Sequence, residues 1–155
     1  MTLTEFLLAR IAEDAAAAGA AIDPDRPGTH WAWFAPDDNA DPDAPRWLRS
    51  TEEFPTVSGV GPLPAFPLGF EFLAEPSTAM AHIARHDPAR VLAECAAKRR
   101  IVRRAQAAES ALREPDLDDG TYFIRRSCRD SWVLALGDLA LPYADHPDYR
   151  EEWRS

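Results

Sequence analysis

Several patterns that mark particular classes of protein are missing from this chain of 155 residues. No apolar run approaches the roughly 20 residues that a helix needs to cross a bilayer, so we expect no membrane partner. The opening MTLTEFLLAR has no basic stretch ahead of an apolar one, which predicts no secretory signal and a cytoplasmic location. Only two cysteines are present, Cys95 and Cys128, and we expect both to be reduced thiols.

The motifs of the commoner enzymes are missing as well. No glycine-rich phosphate loop is present, and no serine or cysteine has the flanking residues of an activated nucleophile. His82 and His86 are four apart, but Ile83 stands where a zinc protease has its glutamate base. We therefore assign no catalytic residue, no metal ligand and no cofactor, and these absences favour a protein that is not an enzyme.

The charge of the chain is acidic and unevenly distributed. The formal net charge is −9, with 13 acids and 4 bases in residues 1–76 against 13 acids and 13 bases in residues 77–155. An acidic chain is poorly suited to coat nucleic acid, because phosphate binding depends on clustered positive charge. A local basic surface remains the exception to consider.

The first 20 residues have the pattern of an amphipathic helix. Thr2 and Glu5 have the spacing of a capping box, in which each side chain bonds to the backbone amide of the other. A run of alanines supports the helix, and apolar residues recur at helical spacing: Leu3, Phe6, Leu7 and Ile11. We predict a helix over residues 3–18, with Gly19 just beyond its end.

Residues 22–76 have a different composition. They contain ten of the 14 prolines, which excludes long helices. The segment 59–69, rich in proline and glycine, is predicted to be an ordered surface loop, with an extended polyproline segment offered to a groove as the alternative. Alternation of residue types predicts short antiparallel strands at residues 30–35, 46–50, 56–60 and 69–73.

Residues 77–155 have a mostly helical pattern. A short helix should end near His86, and a long one should begin at Pro88, because Asp87 can cap it and a proline loses nothing at a first helical position. The long helix should end near Arg113. The segment TYFIRRS, residues 121–127, is predicted to be one more strand. A last helix should begin at Asp130 or Ser131 and end before Pro142.

These elements together predict one α+β domain over residues 1–155. Its parts are an N-terminal helix over 3–18, a small antiparallel sheet from the Pro-rich middle at 22–76, and a helical C-terminal half at 77–155.

The long helix carries five basic residues within seven positions, namely Lys98, Arg99, Arg100, Arg103 and Arg104. As a phosphate track they would bind nucleic acid, and the joint at Asp87 superficially resembles a helix-turn-helix. That motif, however, needs a turn of three or four residues, and no aromatic residues alternate with the basic ones to stack on nucleotides. We favour pairing with acids of this chain or of another subunit, and nucleic acid stays the alternative.

The helix joint and the C-terminal tail concentrate imidazole and aromatic side chains. Tyr149 and Trp153 are interpreted as anchors that pack the tail back onto the chain, with a partner hot spot as the alternative. His82 and His86 are interpreted as imidazoles at a helix C-terminus, where positive charge is favourable. A metal site or metal-dependent enzyme built from these two and His146 is the remaining alternative.

Three segments resemble a recurring family signature. These are TEFLLARIAEDAAAA (4–18), AHIARHDPARVLAECAAKRRIV (81–102) and LALPYADHPDYREEW (139–153), about 52 of the 155 residues. The signature belongs to a small family of unknown function found in actinobacteria, mainly Streptomyces and relatives, and in their phages. The resemblance implies that host range and little chemistry. Many members carry a Cys/His-rich insertion that looks like a zinc ligand set, whereas residues 103–138 here hold only Cys128.

The leading hypothesis is therefore a non-enzymatic accessory or regulatory protein that binds another protein. The alternatives are a nucleic-acid-binding regulator that uses residues 98–104 and the metal-binding protein described above. The candidate binding residues are His82, His86, Arg90, Lys98, Arg99, Arg103, His146, Tyr149 and Trp153.

Overall fold

The structure is a computed structural model that describes residues 1–22, 28–34, 46–51, 71–72 and 78–154. This part of the chain is mostly helical. It contains no helix that is both long and apolar enough to cross a bilayer. The predicted strand at 56–60 and the proline-rich segment 59–69 lie outside the described residues. Contacts divide the chain into two compact units, Met1–Ala15 with Glu94–Ser155, and Ala16–Ala93.

The N-terminal helix α1 spans Leu3–Ala20. The predicted capping box is confirmed, since the Thr2 amide donates to Glu5 Oε2 at 2.7 Å and the Glu5 amide donates to Thr2 Oγ1 at 3.2 Å. The prediction that Gly19 follows the helix is wrong, because α1 continues through it. Backbone bonding continues there as well, with the Ala21 amide donating to the Ala17 carbonyl at 3.2 Å.

The first unit buries the apolar stripes of its helices. Phe6, Leu7 and Ile11 of α1 are essentially inaccessible to water, as the sequence spacing predicted. The other buried apolar side chains of this unit are Cys95, Val102, Ala105, Leu136 and Ala140. A fully buried Leu, Ile or Phe side chain contributes about 1.5–3 kcal/mol, so these stripes supply the main stabilisation of the unit.

The second unit contains three short strands, β1 Trp31–Phe34, β2 Arg46–Ser50 and β3 Glu71–Phe72. They pair antiparallel in the order β1-β2-β3. The register places Trp31 opposite Ser50 and Phe34 opposite Trp47, while Arg46 lies opposite Phe72. The strands therefore lie within three of the four segments that alternation had selected.

The next two helices are α2, Thr78–Arg85, and α3, Pro88–Ala111. The joint between them is confirmed in detail: Pro88 opens α3, and Asp87 Oδ1 accepts from the Arg90 amide at 2.8 Å. Asp87 also holds the start of β1, since its Oδ2 accepts from the Trp31 amide at 3.4 Å. The end of α3 falls two residues before the predicted Arg113.

The last helix, α4, spans Asp119–Ala140 and overturns two predictions. Residues 121–127 are helical rather than a strand, and the helix begins well before Asp130. The physical reason is the cap: Asp118 accepts from the Thr121 amide at 2.9 Å and from the Thr121 hydroxyl at 2.6 Å. The helix ends before Pro142, as predicted, and short 3-10 turns follow at Leu141–Tyr143 and Glu151–Trp153.

Candidate functional site

The C-terminal tail, residues 141–154, packs its aromatic rings around the buried Phe6 of α1. The ring centroid of Phe6 lies 4.9 Å from that of Trp153, 5.7 Å from His146, 6.1 Å from Tyr149 and 6.3 Å from Tyr143. Edge-on and tilted contacts at these distances are favourable for aromatic pairs. The anchors that the sequence assigned to the tail thus contact this chain itself.

A polar network ties the same tail to α1 and α3. The Tyr143 hydroxyl donates to Asp14 Oδ2 at 2.5 Å and accepts from Lys98 Nζ at 3.2 Å. The Lys98 ammonium lies 3.7 Å from the same Asp14 oxygen. Burial raises the pKa of Tyr143 well above its ordinary value, and the hydrogen bond to Asp14 raises it further. The phenol therefore keeps its proton and acts as a structural link rather than a base.

The basic residues 98–104 divide into two groups. Lys98 contacts Asp14 and Tyr143, and Arg99 Nη2 donates to the Ile11 carbonyl of α1 at 3.4 Å. Arg100, Arg103 and Arg104 are exposed and form no ion pair with any acid in the described part of the chain. Pairing with an internal acid is thus found for Lys98, while three arginines face solvent.

The histidines of the helix joint are close to each other but not to further ligands. The His82 and His86 rings are both exposed, with centroids 4.3 Å apart. His146 packs on Phe6 instead, and its Nδ1 accepts from the Asp148 amide at 3.1 Å. Among the described residues, no group of three or more His, Cys, Asp or Glu side chains is placed to hold a metal ion.

Arg90, the remaining candidate of the joint, is held near the end of α2. Its backbone amide donates to the Asp87 cap, and its Nη1 donates to the Arg85 carbonyl at 3.5 Å. The side chain is exposed. It therefore shares the joint with His82 and His86, as the sequence implied.

A cleft of about 550 Å³ lies between the first turn of α1, the end of α3 and α4. Its size is typical of small-molecule pockets. Three of its charged lining residues pair with each other, since Arg113 Nη2 donates to Glu109 Oε1 at 3.4 Å and Arg129 Nε lies 4.0 Å from Glu109 Oε2. Sequence reasoning missed this cleft because its walls come from three separate helices.

A second feature missed by sequence reasoning is a pair of exposed apolar clusters on α4, here together called the α4 apolar surface. One cluster is Tyr122, Phe123 and Ile124 near the start of the helix, and the other is Val133 and Leu134 near its end, where Val133 also lines the cleft. Phe123 is 70% exposed, Ile124 69% and Leu134 58%. The signal was present as two apolar clusters eleven residues apart, which is about three helical turns, but the first cluster also fits the pattern of a strand.

Comparison with known protein families gives a match over residues 1–155 to a family of unknown function, DUF6221. No curated protein and no solved structure matches the chain.

Proposed function

The chain belongs to the family of unknown function DUF6221, and for this member we propose a non-enzymatic accessory or regulatory role, exercised by binding another protein. The observation that carries the proposal is the α4 apolar surface. Two clusters of large exposed apolar side chains on one helix support an interaction site, because exposed apolar patches commonly mark binding surfaces.

The residues that the sequence nominated have different parts in this proposal. Tyr149 and Trp153 serve as internal anchors of the tail, and Lys98 and Arg99 hold α1. The exposed side chains of the helix joint and of α3 stay candidates for additional contacts with a partner: His82, His86, Arg90 and Arg103.

We further propose that the chain is one α+β domain acting in the cytoplasm of an actinobacterium or one of its phages. The antiparallel register of β1, β2 and β3 supports the fold class. Two free thiols, Cys95 and Cys128, suit a reducing compartment. The host range follows from the sequence resemblance of the three segments described above.

The test is affinity capture from an actinobacterial lysate with three baits. These are the wild type, a Phe123→Lys/Leu134→Lys double variant, and an Ala107→Lys control that adds charge at an exposed position of α3. We expect wild type and control to retain the same proteins, including added chains of the bait itself, and the double variant to lose them. Identical capture by all three baits would contradict the proposal.

Nucleic-acid binding is the second candidate, supported by the exposure of Arg100, Arg103 and Arg104. Their spacing of three and four places them on one face of α3, opposite the buried Val102. We expect retardation of DNA or RNA that weakens as salt rises and is lost on Arg100→Glu/Arg103→Glu substitution. Arg99 is left out of the substitution because it bonds to α1. If the protein retards neither DNA nor RNA at about 50 mM salt, nucleic-acid binding is ruled out as a candidate function.

A further inference from the structure

The cleft between α1, α3 and α4 lies within the first unit, and its floor reaches the core of that unit. Ala105 and Leu136 line the cleft although both are buried. Leu3, Trp132 and Val133 complete its apolar wall. Aromatic rings pair favourably with other flat rings in offset or edge-on contact, and Trp132 supplies an indole for such a contact. This wall therefore suits a ligand with a flat apolar body.

The acidic groups of the cleft already have positive or donating neighbours. Glu5 Oε2 accepts from the Thr2 amide at 2.7 Å. Glu109 lies between two arginines, with Oε1 at 3.4 Å from Arg113 Nη2 and Oε2 at 4.0 Å from Arg129 Nε. The two carboxylates in the lining thus create no demand for a bound cation.

The arginines of the cleft, in contrast, have donors to spare. A guanidinium carries five N–H groups, and Arg113 uses one of its nitrogens on Glu109. Arg129 Nε lies 3.0 Å from Asp130 Oδ1, yet this buried nitrogen has no hydrogen-bond partner in the described part of the chain. The first turn of α1 adds backbone N–H groups that no carbonyl of the helix accepts, and the positive end of the helix dipole. The polar side of the cleft is therefore rich in donors and suits an anion.

We propose that the cleft binds a small organic anion with a flat aromatic body. The body packs against Leu3, Trp132 and Leu136, and the anionic group accepts hydrogen bonds from the Arg129 guanidinium. Bonds of this kind are charge-assisted and stronger than those between neutral groups. The cleft shares only Val133 with the α4 apolar surface, so this ligand site goes beyond the protein binding proposed above and is independent of it.

Fluorescence titration with anilinonaphthalene sulfonate, a dye that is itself an aromatic anion, tests the site. The wild type should bind one dye molecule per chain. Arg129→Gln removes the charge and should weaken binding by about 10-fold or more, the loss expected for a hydrogen bond to a charged group. Arg126→Gln is the matched control, because Arg126 is exposed on the same helix and does not line the cleft, and it should leave binding nearly unchanged.

A second pair of variants leaves Arg129 in place, since its side chain is only 32% exposed and its loss also affects packing. Gln106→Trp fills the cleft from an exposed position of α3. Ala107→Trp places the same side chain at the next exposed position, outside the cleft. Dye binding should be lost in the first variant and kept in the second. Circular dichroism checks that every variant keeps the fold.

Displacement of the dye tests whether the site requires a negative charge. Naphthoate should displace the dye at about 10-fold lower concentration than naphthamide, the neutral amide of similar shape, because only the carboxylate accepts charge-assisted bonds from Arg129. Equal displacement by the two compounds would overturn the inference.

The remaining outcomes separate this site from the proposed function. A wild type that binds no dye up to about 1 mM overturns the inference, as does binding that persists in Arg129→Gln or in Gln106→Trp. Binding lost instead in Phe123→Lys/Leu134→Lys would place the dye on the α4 apolar surface, which overturns the inference and leaves the proposed function intact. Loss in both cleft variants, retention in both controls and a preference for naphthoate together support it.

Discussion

At the scale of single residues, the hydroxyl of Tyr143 connects the C-terminal tail to two helices. It donates to Asp14 of α1 and accepts from Lys98 of α3. Hydrogen bonds to charged groups contribute about 1.5–3 kcal/mol, and partial exposure places this one at the lower end. The Tyr149 hydroxyl is the opposite case, because it is buried with no hydrogen-bond partner in the described part of the chain.

Tyr143→Phe should therefore lower the free energy of unfolding by about 1–2 kcal/mol. Tyr149→Phe, the matched change in the same tail, should leave stability unchanged or raise it, since an unsatisfied hydroxyl is removed. Urea denaturation of both variants and the wild type makes the comparison. Equal losses from the two substitutions would contradict the assignment, because both variants keep the ring and only Tyr143→Phe gives up hydrogen bonds.

The same network predicts a dependence on alkaline pH. Burial raises the folded-state pKa of Tyr143 above the ordinary value of 10.0, with a further rise from the hydrogen bond to Asp14. The folded chain thus holds this proton more tightly than the unfolded chain. The stabilisation is complete below about pH 10 and is lost as the pH rises above it. Denaturation between about pH 9 and 11 should show a shallower loss in Tyr143→Phe than in the wild type.

Asp87 provides a second test, at the start of α3. Asp87→Ala removes the acceptor for the Arg90 amide and should cost about 1–2 kcal/mol of stability. Asp87→Asn keeps a capping oxygen for the Arg90 amide but loses the acceptor for the Trp31 amide and the charge facing His30, whose Nδ1 lies 3.4 Å from Asp87 Oδ2. Because the Trp31 bond is long, at 3.4 Å, and the His30 side chain is 62% exposed, the asparagine variant should lose only about 0.5–1 kcal/mol. Thermal denaturation that finds the two variants equally unstable would assign the effect to the charge or to the Trp31 bond rather than to the cap.

At the scale of elements, the sequence predicts what depends on neighbouring residues. The capping box of α1 and the start of α3 involve partners three positions apart, so residue type and spacing were enough. The prediction for residues 121–127 failed because a short run such as TYFI suits a strand as well as a helix, and periodicity cannot separate them over four residues. The deciding contact was the bond from the Thr121 amide to the side chain of Asp118, which caps the helix. An aspartate at this position is a recognised signal for the start of a helix, but here it lies in an acidic segment that was predicted to be a loop.

Gly19 allows a test of where α1 ends. The structure places it inside the helix and exposed, and a methyl group on its α-carbon would have no atom within 4 Å, so an alanine side chain would meet open space. Gly19→Ala should raise stability by about 0.5–1 kcal/mol. Ala16→Gly, on the same helix, should lower it by about the same amount. A destabilising Gly19→Ala in denaturation experiments would favour the sequence prediction of a left-handed residue after the helix.

At the scale of the whole molecule, contacts between segments that are distant in the chain could not be predicted from the sequence. Phe6 is separated from Trp153 by nearly the whole chain, yet their rings are in contact. The aromatic residues of the tail could be recognised as anchors, but nothing local identified Phe6 as their common partner. The α4 apolar surface escaped for a related reason, since exposure depends on which face of a helix the rest of the fold covers.

Cys95 makes the integrity of that distant packing measurable. Its side chain is 1% exposed, and burial raises the pKa of the thiol, so both access and thiolate content oppose modification. In Cys128→Ser, labelling of Cys95 should therefore require opening of the first unit and should accelerate with urea along with global unfolding. Adding Tyr143→Phe should speed the labelling of Cys95 about 5–30-fold, in proportion to the lost stability.

The control is Cys95→Ser, in which the exposed Cys128 should react rapidly and independently of Tyr143. Rapid labelling of Cys95 without urea would mean that the core around Phe6 opens locally, with the tail detaching while the helices stay folded.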